Sequence, residues 1–182
     1  MIIDDRIFDG LESHFVGRKS LTVYRVTGAQ GNPYQMSAAG GRWSIDTGKP
    51  EGFSVLYTAM SRDCALAEVG SYLLLLTPVP KKDLAVHRFS IDLEDVVALD
   101  MAALESLGVY ASTYKTRDYS RTREIALAAM RMDYDGLIVP SARHPSDNVV
   151  ILDKTYFLRN SVEVEHKEVV AYEEWAAIAK EL

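Results

Sequence analysis

Two kinds of hydrophobic periodicity alternate along this chain in no regular order, and that irregularity constrains its fold more than any single motif. Strand-like runs fall at 21–26, 53–60, 84–91, 96–99, 137–139 and 149–152, and alternation returns at Val162, Val164, His166, Val169 and Val170. Helix-like patterns occupy 62–73, 101–107, 121–132 and 173–182, with a helical turn around 8–15 in a loose lead-in. Ser61 stands where an N-cap belongs, Ser120 opens the 121–132 helix, and a loop is expected from 108 through Tyr119. A doubly wound sheet needs strand and helix in strict alternation, so the expected class is α+β. No internal repeat or linker divides the chain. One domain over 1–182 is therefore expected, a length at which a sizeable core can form.

Composition narrows the functional classes. With 48% hydrophobic and 25% charged residues the chain reads as globular. Its N-terminus carries acids where a secretory signal has basic residues, and its longest apolar run, 72–76, is far below the roughly 20 residues of a membrane span. A cytoplasmic protein without membrane association is expected. Cys64 is the only cysteine, which excludes an internal disulfide and argues against a cysteine-based metal site. A net charge of −6 disfavours direct nucleic-acid binding. Lys115, Arg117, Arg121, Arg123 and Arg131 cluster locally, as a solvated face or as an anion-binding or partner surface.

The most conspicuous single residue is Glu68, the one charge in an apolar stretch that runs from Cys64 to Pro78. A carboxylate in such a setting is costly unless it is paired or has a task. On a helix it shares a face with Cys64, Ala65, Ser71 and Tyr72. Arg25, on the same strand face as Leu21 and Val23, is its candidate partner. From the residues alone, a buried ion pair is at least as good a reading as catalysis. The stretch 27–52 is rich in Gly, Pro, Ser and Asn, and loops of this length in compact domains are usually functional or disordered. Within it, Gly40-Gly41-Arg42-Trp43 sets a cation and a large aromatic after two residues that let backbone approach something closely. A glycine turn leading to a core Trp explains it equally well. Tyr57 reads first as a core strand residue, and Ser141, after Pro140, as a turn residue.

Several signals are missing. There is no Gly-x-Gly-x-x-Gly after a strand, no Walker loop, and no Gly-x-Ser-x-Gly elbow around Ser141. His14, His87, His144 and His166 have no metal-ligand spacing.

Taken in order, Tyr24-Arg25, Gly41-Arg42-Trp43, Leu56-Tyr57-Thr58-Ala59 with Ala65-Leu66-Ala67-Glu68, Val139-Pro140-Ser141-Ala142-Arg143, and Asn148-Val149-Val150-Ile151-Leu152 resemble the RES domain family. The arginine, glutamate and serine of that name fall at Arg25, Glu68 and Ser141, and the motif-bearing core spans about 21–152. The resemblance implies an ADP-ribosyltransferase-like mixed sheet with flanking helices. It implies a toxin of a bacterial type II toxin-antitoxin pair that depletes NAD. It also implies a helix-turn-helix antitoxin whose C-terminal segment covers the site. Two positions depart from the family pattern, Ser44 where asparagine commonly follows the arginine-tryptophan pair and Ser146-Asp147 where glycine is frequent, and both bear on the pocket rim.

Under that resemblance NAD is the substrate, with no cofactor and no metal. Catalysis falls to Glu68, Arg25 and Ser141, and substrate binding to Tyr57, Arg42, Tyr24, Trp43 and Asn148. Arg25 and Arg42 suit phosphate oxygens. Glu68 suits a ribose hydroxyl and the positive charge that develops on the sugar. Tyr57 offers a flat face for nicotinamide, and Ser141 orients the carboxylate or the substrate. The expected reaction cleaves the nicotinamide-ribose bond with water or phosphate as acceptor. Transfer of ADP-ribose to a macromolecule is the alternative, followed by a ribonuclease, which the acidic balance and the lack of a histidine acid/base pair oppose, and by a non-catalytic docking module. A homo-oligomer stays open at this point.

Overall fold

Alternating Val23 and Val26 pin one long strand, β1 (Lys19–Gly28), at the centre of the protein, and the way its neighbours meet it creates the site. A computed structural model of the chain describes residues 3–152 and 162–181; Met1 and Leu182, the ends of the expected lead-in and terminal helix, lie outside them. The remaining strands are β2 (Leu56–Ala59), β3 (Leu84–Leu93), β4 (Val96–Ala98), β5 (Gly136–Pro140), β6 (Asp147–Ile151) and β7 (His166–Val170). The helices are α1 (Asp5–Ser13), α2 (Arg62–Leu73), α3 (Met101–Ser106), α4 (Ala111–Tyr114), α5 (Ser120–Arg131) and α6 (Tyr172–Lys180).

Among the described residues the strands form one seven-stranded sheet in the order β4-β5-β6-β2-β1-β3-β7. Only β4 and β5 run parallel, so the sheet is mixed and the fold is α+β, as expected. β1 pairs with β3 along its whole length, from Lys19↔Leu93 to Gly28↔Leu84. Its pairing with β2 is confined to Tyr24↔Ala59. The two central strands therefore part company at one end.

Side-chain alternation sorts the sheet into two faces. On one, Tyr24, Val26, Ala59, Leu84, Val86 and Val170 pack against α2 and α6, while Tyr57, Leu137, Val139 and Val150 pack against α1, α3 and α5. Tyr57 and Ala59 are two residues apart on β2, so both helical groups lie on the same side, next to each other. On the other face, Val23, Leu56, Phe89, Ile91, Val149 and Ile151 are covered by non-regular chain, including Met36, Val162 and Val164. Among the described residues no helix is long and apolar enough to cross a membrane.

Helix α2 starts where expected: Ser61 is extended and its side chain accepts from the Cys64 amide at 3.2 Å. It is apolar on most of its circumference because the sheet lies on one side and α6 on another. Gly70 permits the second contact, since a Cβ there would lie 2.7 Å from the Ala179 Cβ.

Several boundaries differ from the sequence reading. The lead-in holds a full helix, α1, because Asp4 caps it by accepting from the Arg6 amide. The loop expected before Tyr119 contains α4. The cap of α5 is Tyr119, whereas Ser120 donates instead to Asp118. The run 53–60 is strand only from Leu56, since Phe53 and Val55 bridge to Ile45 and Ser37 of the long loop. β6 begins two residues early, at Asp147.

Candidate functional site

Where β1 and β2 separate, and where the two helical groups leave the middle of the sheet uncovered, a cleft of about 500 Å³ opens. Tyr24 from β1, Tyr57 and Ala59 from β2, Asn148 from β6 and Glu68 from α2 all line it. Glu68 is held firmly. Its Oε1 accepts from Ser141 Oγ at 2.6 Å and from Asn148 Nδ2 at 2.8 Å. Ser141 Oγ in turn accepts from the Arg143 amide at 3.0 Å, which directs its proton to Glu68. Cys64, one turn before Glu68, donates to Asn148 Oδ1 at 3.6 Å, and burial pushes its thiol up to about 12. That thiol is a buried orienting group, with no thiolate for nucleophilic work at neutral pH. The second oxygen of Glu68, Oε2, has no protein partner among the described residues.

Arg25 borders the same cleft but does not pair with Glu68; no ion pair joins them among the described residues. Alternation points Arg25 to the opposite sheet face from Tyr24, and its guanidinium bridges the parting strands. Nη1 donates to the Tyr57 carbonyl at 2.8 Å and Nη2 to the Gln35 carbonyl at 2.7 Å. Nε is buried and unpartnered. Burial lowers the Arg25 pKa to about 10, because no carboxylate compensates its charge. A half-buried cation with a buried spare donor is a place for an anion.

The third wall comes from the glycine-rich loop. Gly40 has φ +77°, a conformation that disfavours side chains, and a Cβ on Gly41 would lie 2.5 Å from the Tyr57 hydroxyl. The close approach anticipated for these glycines is thus to the Asp46 backbone at Gly40 and to Tyr57 at Gly41, and the Tyr57 hydroxyl accepts from the Trp43 amide at 3.0 Å and lies 3.0 Å from Ser44 Oγ. Burial raises the Tyr57 pKa, so the phenol stays neutral. Helix α5 anchors the loop from the other side: Thr122 Oγ1 donates to the Arg42 carbonyl at 2.7 Å and Arg123 Nε to the Gly41 carbonyl at 2.8 Å. Arg42 then lies over two rings, 4.5 Å from the centroid of Tyr114 and 4.7 Å from that of Tyr119. Its Nη1 is buried without a partner. Gly41→Ala is expected to lower stability by about 1–3 kcal/mol, through overpacking against Tyr57. Thermal unfolding measures the loss, and Tyr57→Phe in the same chain should restore part of it by removing the clashing oxygen.

Of the residues singled out from sequence, the fold brings Arg25, Arg42, Glu68, Tyr24, Tyr57, Trp43 and Asn148 to one cleft, with Ser141 bonded to Glu68. Trp43 is 1% exposed and belongs to the core as much as to the lining. Tyr119 also lines the cleft, as do Arg117, which the sequence offered only within a basic cluster, and Arg143, which it offered only as a motif residue without a role. The basic cluster around Arg117 divides: Arg121 pairs with Asp4 and Glu124, Arg131 with Glu51, Arg123 holds the loop, and Arg117 faces the cleft. Only side-chain direction separates these roles, and spacing does not encode it. Among the described lining residues, four arginines surround one carboxylate. No group of three or more His, Cys, Asp or Glu among the described residues could hold a metal ion.

No curated protein sequence matches the chain. Among solved structures it is similar to a chain of the crystal structure of the M. tuberculosis MbcT-MbcA toxin-antitoxin complex, with a TM-score of 0.75 and 18% identity, over 98% of this chain and 100% of that one. The fold is shared at that level of identity. The family model described as the RES domain matches residues 22–171, a span that includes Arg25 and Glu68 of the cleft and Ser141 bonded to Glu68. With most of its length covered by that match, the chain belongs to the RES domain family.

Proposed function

We propose that the protein is the toxin of a bacterial type II toxin-antitoxin pair and that it depletes NAD by cleaving the nicotinamide-ribose bond, with water or inorganic phosphate as acceptor. The observation that carries the reading is charge arrangement. In a chain of net charge −6, the cleft is lined by four arginines and one carboxylate that has a free oxygen. NAD has the matching pattern of a diphosphate and a cationic nicotinamide-riboside end. Arg25 and Arg42, each with a buried spare donor, bind the diphosphate oxygens. Glu68 directs Oε2 to a ribose hydroxyl, and Tyr57 and Tyr24 supply aromatic surface for the nicotinamide.

When the C1′–N1 bond breaks, its electron pair goes to the nicotinamide nitrogen, which becomes neutral, and positive charge moves to the ribose. Glu68, held by Ser141 and Asn148 in one orientation, stabilises that charge more than it stabilises the ground state. Water then adds at C1′ and releases a proton, or phosphate adds and retains its own oxygen in the product. The structural relative was crystallised as a toxin-antitoxin complex, which supports a protein antitoxin as partner; its helix-turn-helix type and its place over this cleft are part of the proposal.

Incubating the purified protein with NAD, with and without inorganic phosphate, and identifying the products tests the reading. Free nicotinamide is expected in at least one condition, with ADP-ribose or its phosphorylated form as the other product. Intact NAD in both conditions sinks it. A mass increase on an added protein target, in place of a free ADP-ribose product, would assign the alternative, transfer to a macromolecule.

A further inference from the structure

We infer that Tyr114 is a positioning residue that ties the cationic wall of the cleft to the carboxylate that faces it, one side chain setting the places of Arg42 and of Ser141. Tyr114 ends the short helix α4 (Ala111–Tyr114) and is 4% exposed. Its ring holds the Arg42 guanidinium at 4.5 Å, and its hydroxyl donates to the Pro140 carbonyl at 2.7 Å. Pro140 ends β5, and the next residue, Ser141, donates to Glu68 Oε1 at 2.6 Å. One residue thus touches Arg42 directly and reaches the carboxylate side through the Pro140 carbonyl, and it is not among the residues lining the cleft. α4 is anchored within itself, by the Tyr114 amide on the Tyr110 carbonyl at 2.9 Å. A rigid phenol on that support fixes two groups that come from distant parts of the chain.

The two ends of the side chain do separable things. Removing the hydroxyl takes from the half-buried Pro140 carbonyl the donor that Tyr114 supplies and loosens the 140–143 turn, so Ser141 holds Glu68 less well. Removing the ring as well takes away one of the two cation–π contacts of Arg42 and leaves it Tyr119 at 4.7 Å and the Thr116 carbonyl at 3.3 Å. The reading of Arg42 as a diphosphate ligand and Glu68 as the ribose-facing group, given above, underlies the expected kinetic effects.

The test compares the unmutated protein with Tyr114→Phe and Tyr114→Leu, each corrected for the folded fraction from its thermal unfolding curve. For Tyr114→Phe, kcat for NAD loss should fall about tenfold while the affinity for ADP-ribose, measured by calorimetry, stays within about twofold. For Tyr114→Leu, ADP-ribose affinity should also fall, by about tenfold. A readout independent of any ligand accompanies these. The Arg42 side-chain δ protons, displaced upfield by ring current in the NMR spectrum of the unmutated protein and of Tyr114→Phe, should lose part of that displacement in Tyr114→Leu. Arg42 resonances unmoved in Tyr114→Leu, or the same kcat and affinity in all three proteins, overturn the inference. If the unmutated protein consumes no NAD, the proposed function fails by itself, and the NMR comparison still decides the role of Tyr114.

Discussion

Glu68→Gln is expected to reduce NAD loss by about a thousandfold or more, with the melting temperature nearly unchanged. The substitution keeps shape and keeps a carbonyl oxygen able to accept from Ser141 and Asn148, whose bonds to Oε1 measure 2.6 and 2.8 Å. It replaces Oε2, the atom with no protein partner, by an amide nitrogen that donates. A group that should stabilise positive charge on the sugar then presents hydrogens to it, and the transition state loses the one carboxylate among the described lining residues. Rate measurements on purified protein beside a thermal unfolding curve separate this from misfolding. Wild-type turnover by a folded Glu68→Gln protein would falsify the assignment.

The second large effect is at Arg25. Arg25→Lys retains a positive charge but cannot reach the Tyr57 and Gln35 carbonyls together while leaving a donor free, as the planar guanidinium does at 2.8 and 2.7 Å. KM for NAD should rise by one to two orders of magnitude, roughly 1.4–3 kcal/mol of lost binding. Stability should fall too, by about 1–2 kcal/mol, because one of the two carbonyls loses its donor where β1 and β2 part. Steady-state kinetics over a range of NAD concentrations, with a parallel denaturant titration, measure both. An unchanged KM would remove Arg25 from the substrate site and leave it a strand clamp.

The physical reason these two residues act separately was hidden in the sequence. Glu68 drew notice because a lone carboxylate in an apolar helix needs an explanation, and Arg25 because a cation on an apolar strand face needs one too. The simplest inference, a mutual ion pair, ignores that β1 alternates and that α2 packs on the face shared by Tyr24 and Val26. Arg25 points the other way and gives two donors to the Tyr57 and Gln35 carbonyls, which leaves Nε for a ligand. Similarly, Gly40 and Gly41 announced a close approach, but the object of Gly41, the Tyr57 hydroxyl, lies on the distant strand β2. Ser141 and Asn148 carry no local signal of their own and were reached through the ordered motifs they belong to. Tyr114 and Tyr119 carried no signal, and Arg117 and Arg143 appeared only within a basic cluster and a motif, without an assigned place in the site. They lie on turns and a four-residue helix, where hydrophobic periodicity is too short to assign a direction.

By itself the sequence determined the α+β class, most of the strands and helices, the cap of α2 and the family pattern of arginine, glutamate and serine, because periodicity, capping and ordered motifs are local properties of a chain. Tertiary structure alone decided that β1 and β2 touch at one pair and then diverge, that Glu68 is held by β6 and the turn after β5, and that the cations gather on one cleft. Those are choices of strand register and side-chain direction. They depend on packing between segments far apart in sequence, and no stretch of the chain encodes them alone.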